Sequence, residues 1–188
     1  DVGKTGGTSV WSEGYTSVSK ANPANDTGTI DHIEIKVVAA GSHTIEVAAF
    51  SASVNNLTTN GTASMTCSQG TNLKDAPGDF TAFNISINEY IGFYSTTATV
   101  NYLGSGGLGA WYDGTDRIPC TNVLFNPYAN TDFWIYGTGS TGGGGTNTSI
   151  NVGDVWKTIA GMKINISDAW KSVATAKINI GDSWKTIF

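Results

Sequence analysis

Catalytic or metal chemistry in this chain would have to come from a small set of residues: His32, His43, Cys67, Cys120, and the acidic turns DAPGD (Asp75, Asp79) and YDGTDR (Asp113, Asp116). A nucleophile-base-acid triad needs a histidine. Neither histidine is accompanied by a G-x-S-x-G elbow or a papain-like cysteine context, and His32 reads as a solvent-facing strand residue. Two cysteines without a CxxC partner and two histidines eleven positions apart do not make a zinc site. Asp113 and Asp116 are the calcium candidates, yet neither acidic turn follows the EF-hand pattern, and turn aspartates need no metal. GKT at Gly3 lacks the upstream glycine of a phosphate loop, and acidic residues outside turns are too few to suggest paired hydrolytic carboxylates. The expectation is a non-catalytic chain with no cofactor. Cys67 and Cys120 permit one disulfide without demanding it.

The binding chemistry on offer is aromatic. Trp111, Tyr112 and Trp134 lie in or beside expected strands, where each can serve either as core or as a platform for a glycan ring. The rest of the aromatic signal is periodic: INVGDVWKTIAGMK (150–163), INISDAWKSVATAK (164–177) and INIGDSWKTIF (178–188) repeat every 14 residues. A period this short suits two strands of about five residues with two-residue turns, so each unit is read as a β-hairpin turning at Gly153-Asp154, Ser167-Asp168 or Gly181-Asp182. If the intervening turns are equally short, six strands form one meander. One face then carries Ile150, Lys157, Ile164, Lys171, Ile178 and Lys185, and the other carries Asn151, Trp156, Asn165, Trp170, Asn179 and Trp184 as a continuous ladder. Such a ladder could cover the sheet, hold a neighbouring subunit, or take a ligand. A three-hairpin sheet with two open edges is expected to self-associate.

These residues need a scaffold, and composition points to β structure. Charged residues are 13%, against 24 Gly, 25 Thr and 17 Ser, a mixture poor in helix formers and rich in turn formers. Ile33, Ile35 and Val37 alternate with His32, Glu34 and Lys36, the period of a half-buried strand. AAGS (39–42) then reads as a turn before Ile45, Val47 and Ala49 resume the alternation, giving a hairpin over 30–50. Further strands are expected at 63–67, 80–87, 90–95, 97–103, 108–112, 122–125 and 133–136. The fold class is all-β: a jelly-roll-like antiparallel β-sandwich body (29–136), followed by a Gly/Thr-rich linker (137–149) and a small β-hairpin repeat tail (150–188). Residues 1–28, rich in Gly, Ser, Thr and Asn with an apolar interruption at Val10-Trp11, read as an extended arm.

Charge narrows the partners. Residues 1–149 hold 5 Lys/Arg against 12 Asp/Glu, so the body would repel phosphate backbones and nucleic acid is not an expected partner. No apolar run approaches the roughly 18 residues of a spanning helix, so membrane insertion is not expected.

The tandem I-N-[IV]-[GS]-D-x-W-K-[TS]-[IV] units resemble short C-terminal repeats of tailed-bacteriophage virion proteins, of the tail-fibre-like and head-decoration types. The stretches APGDFTAFNISINEYIGFY and AWYDGTDRIPCTNVLF are similar in style to jelly-roll modules of phage and extracellular adhesion proteins. The resemblance implies a structural protein on a virion surface or outside the cell, for decoration, display or adhesion. Its implied partners are further copies of itself, as a trimer or higher form, other virion or filament proteins, and a host-surface glycan. A free extracellular carbohydrate-binding module, using Trp111, Tyr112, Trp134 or the tail tryptophans, is the alternative.

Overall fold

The computed structural model describes residues 1–141 and, beyond them, 149–152, 155–158, 163–166, 169–172, 177–180 and 183–186. The chain divides into two units, Asp1–Thr141 and Gly142–Phe188. In the first, the strands run β1 (Val2–Lys4), β2 (Ser9–Trp11), β3 (Thr16–Ser19), β4 (Gly28–Ser53), β5 (Asn56–Asp75), β6 (Phe83–Ile85) and β7 (Tyr90–Tyr94). They continue as β8 (Val100–Leu103), β9 (Ala110–Asp113), β10 (Val123–Leu124), β11 (Asn126–Tyr128), β12 (Asp132–Phe133) and β13 (Ile135–Thr141). All thirteen join one antiparallel sheet that curls on itself into an all-β, sandwich-like body. Each strand expected between residues 63 and 136 overlaps an observed one.

The spine is β4. Its 26 residues would span about 88 Å if straight, whereas a body of this size has a radius of gyration of about 14 Å, so the strand has to bend. It bends where a turn was expected. Against β5, Val37 faces Gly70 and Ser42 faces Ser68, so residues 38–41 bulge out opposite Gln69 alone. Gly41 and Gly70 sit at the bend with φ of 106° and 108°, a conformation that side-chain-bearing residues rarely adopt. Bulge backbone groups are satisfied locally: Val38 N donates to Thr99 O at 2.8 Å, and Gln69 Nε2 donates to Val38 O at 3.0 Å. Residues 30–50 are therefore not a hairpin. The AAGS segment has turn chemistry but is used as a corner in one continuous strand whose hairpin partner is β5.

Before the bend β4 pairs with β13 on one side and with β5 and β6 on the other; after it, with β5 and β7. Ile33, Ile35, Val37, Ile45, Val47 and Ala49 line the larger core with Met65, Cys67, Ile91, Phe93 and Phe133. Ala48 and Phe50 point the other way, into a second cluster with Val18, Leu57, Trp111, Ile118 and Phe125. The run Val47–Phe50 is thus buried on both faces, which explains why it is uniformly apolar.

Two domain boundaries move. Residues 1–28 are not an extended arm: β1 pairs with β13, β2 with β8, and β3 lies between β7 and β9. Val2 and Val18 are fully buried, as are Thr16, Ser17 and Ser19. The Ser/Thr composition misleads because strand ladders satisfy the backbone here, while Thr16 Oγ1 donates to Thr115 O and accepts from Arg117 N. Nor does a linker begin at 137. Gly137–Thr141 completes β13 in register with Gly28–Ile33. Its glycines answer close approach, since a Cβ on Gly137 would meet Ile91, Val2 and Ile30 side chains within 3.3 Å, and one on Gly139 would overlap Thr29 O. The linker residues 142–148 lie outside the described residues.

In the second unit, β14 (Ser149–Val152) pairs with β15 (Val155–Thr158), β16 (Lys163–Ile166) with β17 (Ala169–Ser172), and β18 (Lys177–Ile180) with β19 (Ser183–Thr186). Each pair is a separate two-stranded sheet. The hairpins are as expected; the six-stranded meander is not found among the described residues. Four residues, 159–162 and again 173–176, separate one hairpin from the next. The two-residue turns that the meander requires fall within these segments, which lie outside the described residues.

Candidate functional site

Sequence patterning scattered the large aromatic residues, and the curl of the sheet gathers several of them. Trp11 on β2 is the hub: Tyr15, Tyr102, Tyr112, Tyr128 and Phe133 have ring centroids 5.6, 5.7, 5.8, 5.5 and 5.2 Å from it. The contacts are edge-on or tilted, the arrangement ring quadrupoles favour. Register produces the cluster. β8 brings Tyr102 opposite Ser9, β3 brings Tyr112 opposite Ser17, and β11 brings Tyr128 opposite Ala110. Alongside opens a groove of about 250 Å³ lined by Val10, Trp11, Ser12, Tyr15 and Tyr102. Val10 is 52% and Tyr128 40% exposed, high values for such side chains. Trp11 Nε1 is buried with no hydrogen-bond partner among the described residues.

The three expected platform residues are not brought together. Trp111 is buried in the second cluster, where its Nε1 donates to Asn55 Oδ1 at 3.0 Å and Tyr90 meets it edge-on. The Lys20 ammonium lies 4.2 Å from its ring centroid. Trp111 is therefore core, and its role as a glycan platform is withdrawn. Trp134 is half-buried beside β4, donating to Glu34 Oε1 at 2.9 Å with Lys36 Nζ 4.5 Å from its ring centroid, so one ring face is taken by an ammonium. Only Tyr112 joins the aromatic cluster. Trp11, Tyr15, Tyr102 and Tyr128 were missed, and their sole sequence signal was the apolar pair Val10-Trp11 inside a polar stretch.

The polar candidates are held singly by local structure. Asp113 Oδ1 accepts from Thr115 N and Oγ1 and lies 3.2 Å from Arg117 Nε. Burial pushes this carboxyl up, but the bonds from Thr115 and Arg117 outweigh it and hold it below the ordinary range. Asp116 Oδ1 accepts from Ile118 N, and its charge adds to burial in pushing Glu46 up. Both aspartates act as turn caps, and among the described residues no three His, Cys, Asp or Glu side chains group as metal ligands. Asp75 meets His32 Nδ1 at 2.6 Å, and Asp79 meets Lys74 Nζ at 3.0 Å. His43 is buried on the same strand as His32, with Nδ1 3.0 Å from Thr97 Oγ1 and Nε2 unpartnered. The two histidines do not face each other across a hairpin.

Both cysteines are free. Cys67 faces the larger core, where burial pushes its thiol up to about 11, whereas Cys120 Sγ contacts Leu57 O and Thr59 Oγ1. Leu57 and Thr59 lie eight or more residues from Cys67 along β5, roughly 27 Å of extended strand. That separation excludes the disulfide.

In the tail, Asn151 faces Trp156, Asn165 faces Trp170 and Asn179 faces Trp184, each at the same register position of its hairpin. The expected Asn-Trp pairing holds within every unit. No ladder runs from unit to unit among the described residues. Comparison of the chain with protein-family models, with curated protein sequences and with solved structures returned no match.

Proposed function

We propose that this chain is a non-catalytic surface protein of a virion or filament, serving decoration, display or adhesion, and that its C-terminal repeats hold copies together. The observation that carries the reading is the tail's construction from three two-stranded sheets in identical register. A two-stranded hairpin is marginal in water, and each has two edges without a partner among the described residues, so repeated hairpins gain stability when edges or faces of other copies cover them. The opposed register positions hold Asn and Trp in every unit, and Trp is a residue type enriched at protein interfaces. The virion setting rests on the resemblance of the repeat units. A structural role is further supported by the body's ionisable groups, most of which are spent on turns and pairs.

Light scattering on the full chain at micromolar concentration tests the self-association. The expected result is a trimer or higher form that dissociates when Trp156, Trp170 and Trp184 are all changed to Ser. A monomeric full chain, or an oligomer indifferent to the triple change, overturns the tail's role.

A further inference from the structure

We infer that the groove beside Trp11 is a binding site for a single neutral pyranose ring. It lies wholly within residues 1–141 and does not depend on the tail's role in assembly. Relative to the carbohydrate-binding alternative drawn from sequence, it moves the site away from Trp111 and Trp134.

Tyr15 and Tyr102 each meet Trp11 edge-on, and all three line the groove. Behind Trp11 stand Tyr112, Tyr128 and Phe133, which fix the indole in place so that little side-chain freedom is lost when a ligand arrives. Such a pocket combines a smaller area of aromatic and aliphatic carbon with a larger polar share, and Tyr15, Tyr102 and Ser12 are the lining residues that carry hydroxyls. A pyranose has the matching pair of surfaces: a C–H face that lies against aromatic carbon and a rim of hydroxyls that exchange hydrogen bonds with phenols and serine.

Charge and size restrict the ligand further. None of the five lining residues is charged, so an anionic sugar or a phosphate would be desolvated without a counter-ion, an unfavourable exchange. The about 250 Å³ available falls below the roughly 300 to 1,000 Å³ of sites for drug-sized ligands, which suits one ring rather than a chain of rings in the groove. Exposed Val10 beside the groove gives the rest of a longer glycan an apolar shoulder to pass over. The competitor is a quaternary ammonium, which aromatic cages also favour; no carboxylate lines this groove to add to the ring attraction.

The test is saturation-transfer NMR on the full chain with the methyl glycosides of glucose, galactose, mannose and N-acetylglucosamine at millimolar concentration. At least one should receive saturation, strongest on the protons of one ring face, and Tyr15→Ala should weaken its binding by about tenfold. Trp134→Ala should leave binding unchanged. Because Trp11 also packs on Phe133 and its loss can unfold the body, Tyr15→Ala and Tyr102→Ser carry the test, with near-ultraviolet circular dichroism confirming that both variants stay folded. No transfer to any of the four glycosides, transfer that survives both tyrosine changes, or displacement of the sugar by equimolar tetramethylammonium overturns the assignment. So does an oligomer that Val10→Asp abolishes in a chain that binds none of the sugars, since the groove would then be covered by a second copy. Oligomers lost only on changing the tail tryptophans bear on the tail and leave the sugar result to stand or fall by itself.

Discussion

The body and the tail are both antiparallel β structure, and they differ in where each strand finds its partner. In the body, Val47–Phe50 has β5 on one edge, β7 on the other and a core on each face, with strand partners between Thr59 and Phe93 and core clusters that reach from Val2 to Ile135. In the tail, every described strand pairs with its sequence neighbour alone. The first arrangement makes stability a property of the whole unit; in the second, each repeat has no third strand among the described residues. On the proposed reading, the body is self-sufficient and the tail is completed by further copies of the chain.

Four substitutions probe the two units. Phe50 is fully buried and meets Phe125 edge-on at 6.1 Å, so Phe50→Ala should cost about 3–5 kcal/mol in urea unfolding, whereas Trp170→Ala should leave the main transition where it was. A body midpoint that moved as far with Trp170 as with Phe50 would erase the distinction between the units. Next, Val18→Ala should cost about 2 kcal/mol, because β3 is an interior strand with this side chain at 0% exposure. A neutral effect would restore the extended-arm reading of the N-terminus. The smallest effect concerns Asp113, whose carboxyl titrates below its ordinary 3.8. A folded value below the unfolded one gives stability that is complete above the ordinary carboxyl range and is lost as the pH falls through the folded value. Asp113→Asn should therefore lose less stability than the parent between about pH 5 and pH 3. Equal acid losses in the two proteins would show that the Thr115 and Arg117 contacts do not act on this group.

The sequence disclosed whatever depends on near neighbours. The alternation from Ile33 to Val37 predicted which side chains face the core, and the 14-residue period predicted hairpins that place Asn opposite Trp. It misled wherever a distant partner decides the outcome. AAGS carries turn chemistry whether it reverses a chain or bulges out of one, and only the pairing of Val37 with Gly70 and Ser42 with Ser68 separates the two. Thr16–Ser19 reads as loop because its strand character comes from β7 and β9, more than 70 residues away. The groove was hidden for the same reason. Its wall residues Tyr15 and Tyr102 lie on segments that have no local sign of meeting, and Trp11 was visible only as an apolar interruption.

The pairing of Val2–Lys4 with Ile135–Gly137 also sets a timetable. During synthesis the first strand emerges long before its partner exists, so more than 130 residues must leave the ribosome before β1 can be seated. At about 5–20 residues per second, that leaves the N-terminal segment unpaired for several seconds or more. Contacts this far apart in sequence also place the body among slowly folding β topologies, in which loop closure precedes the stabilising pairings. Until β13 arrives to close the sheet, Val2–Lys4 waits without its ladder partner, and Val2 stays open to water that the finished sheet excludes completely.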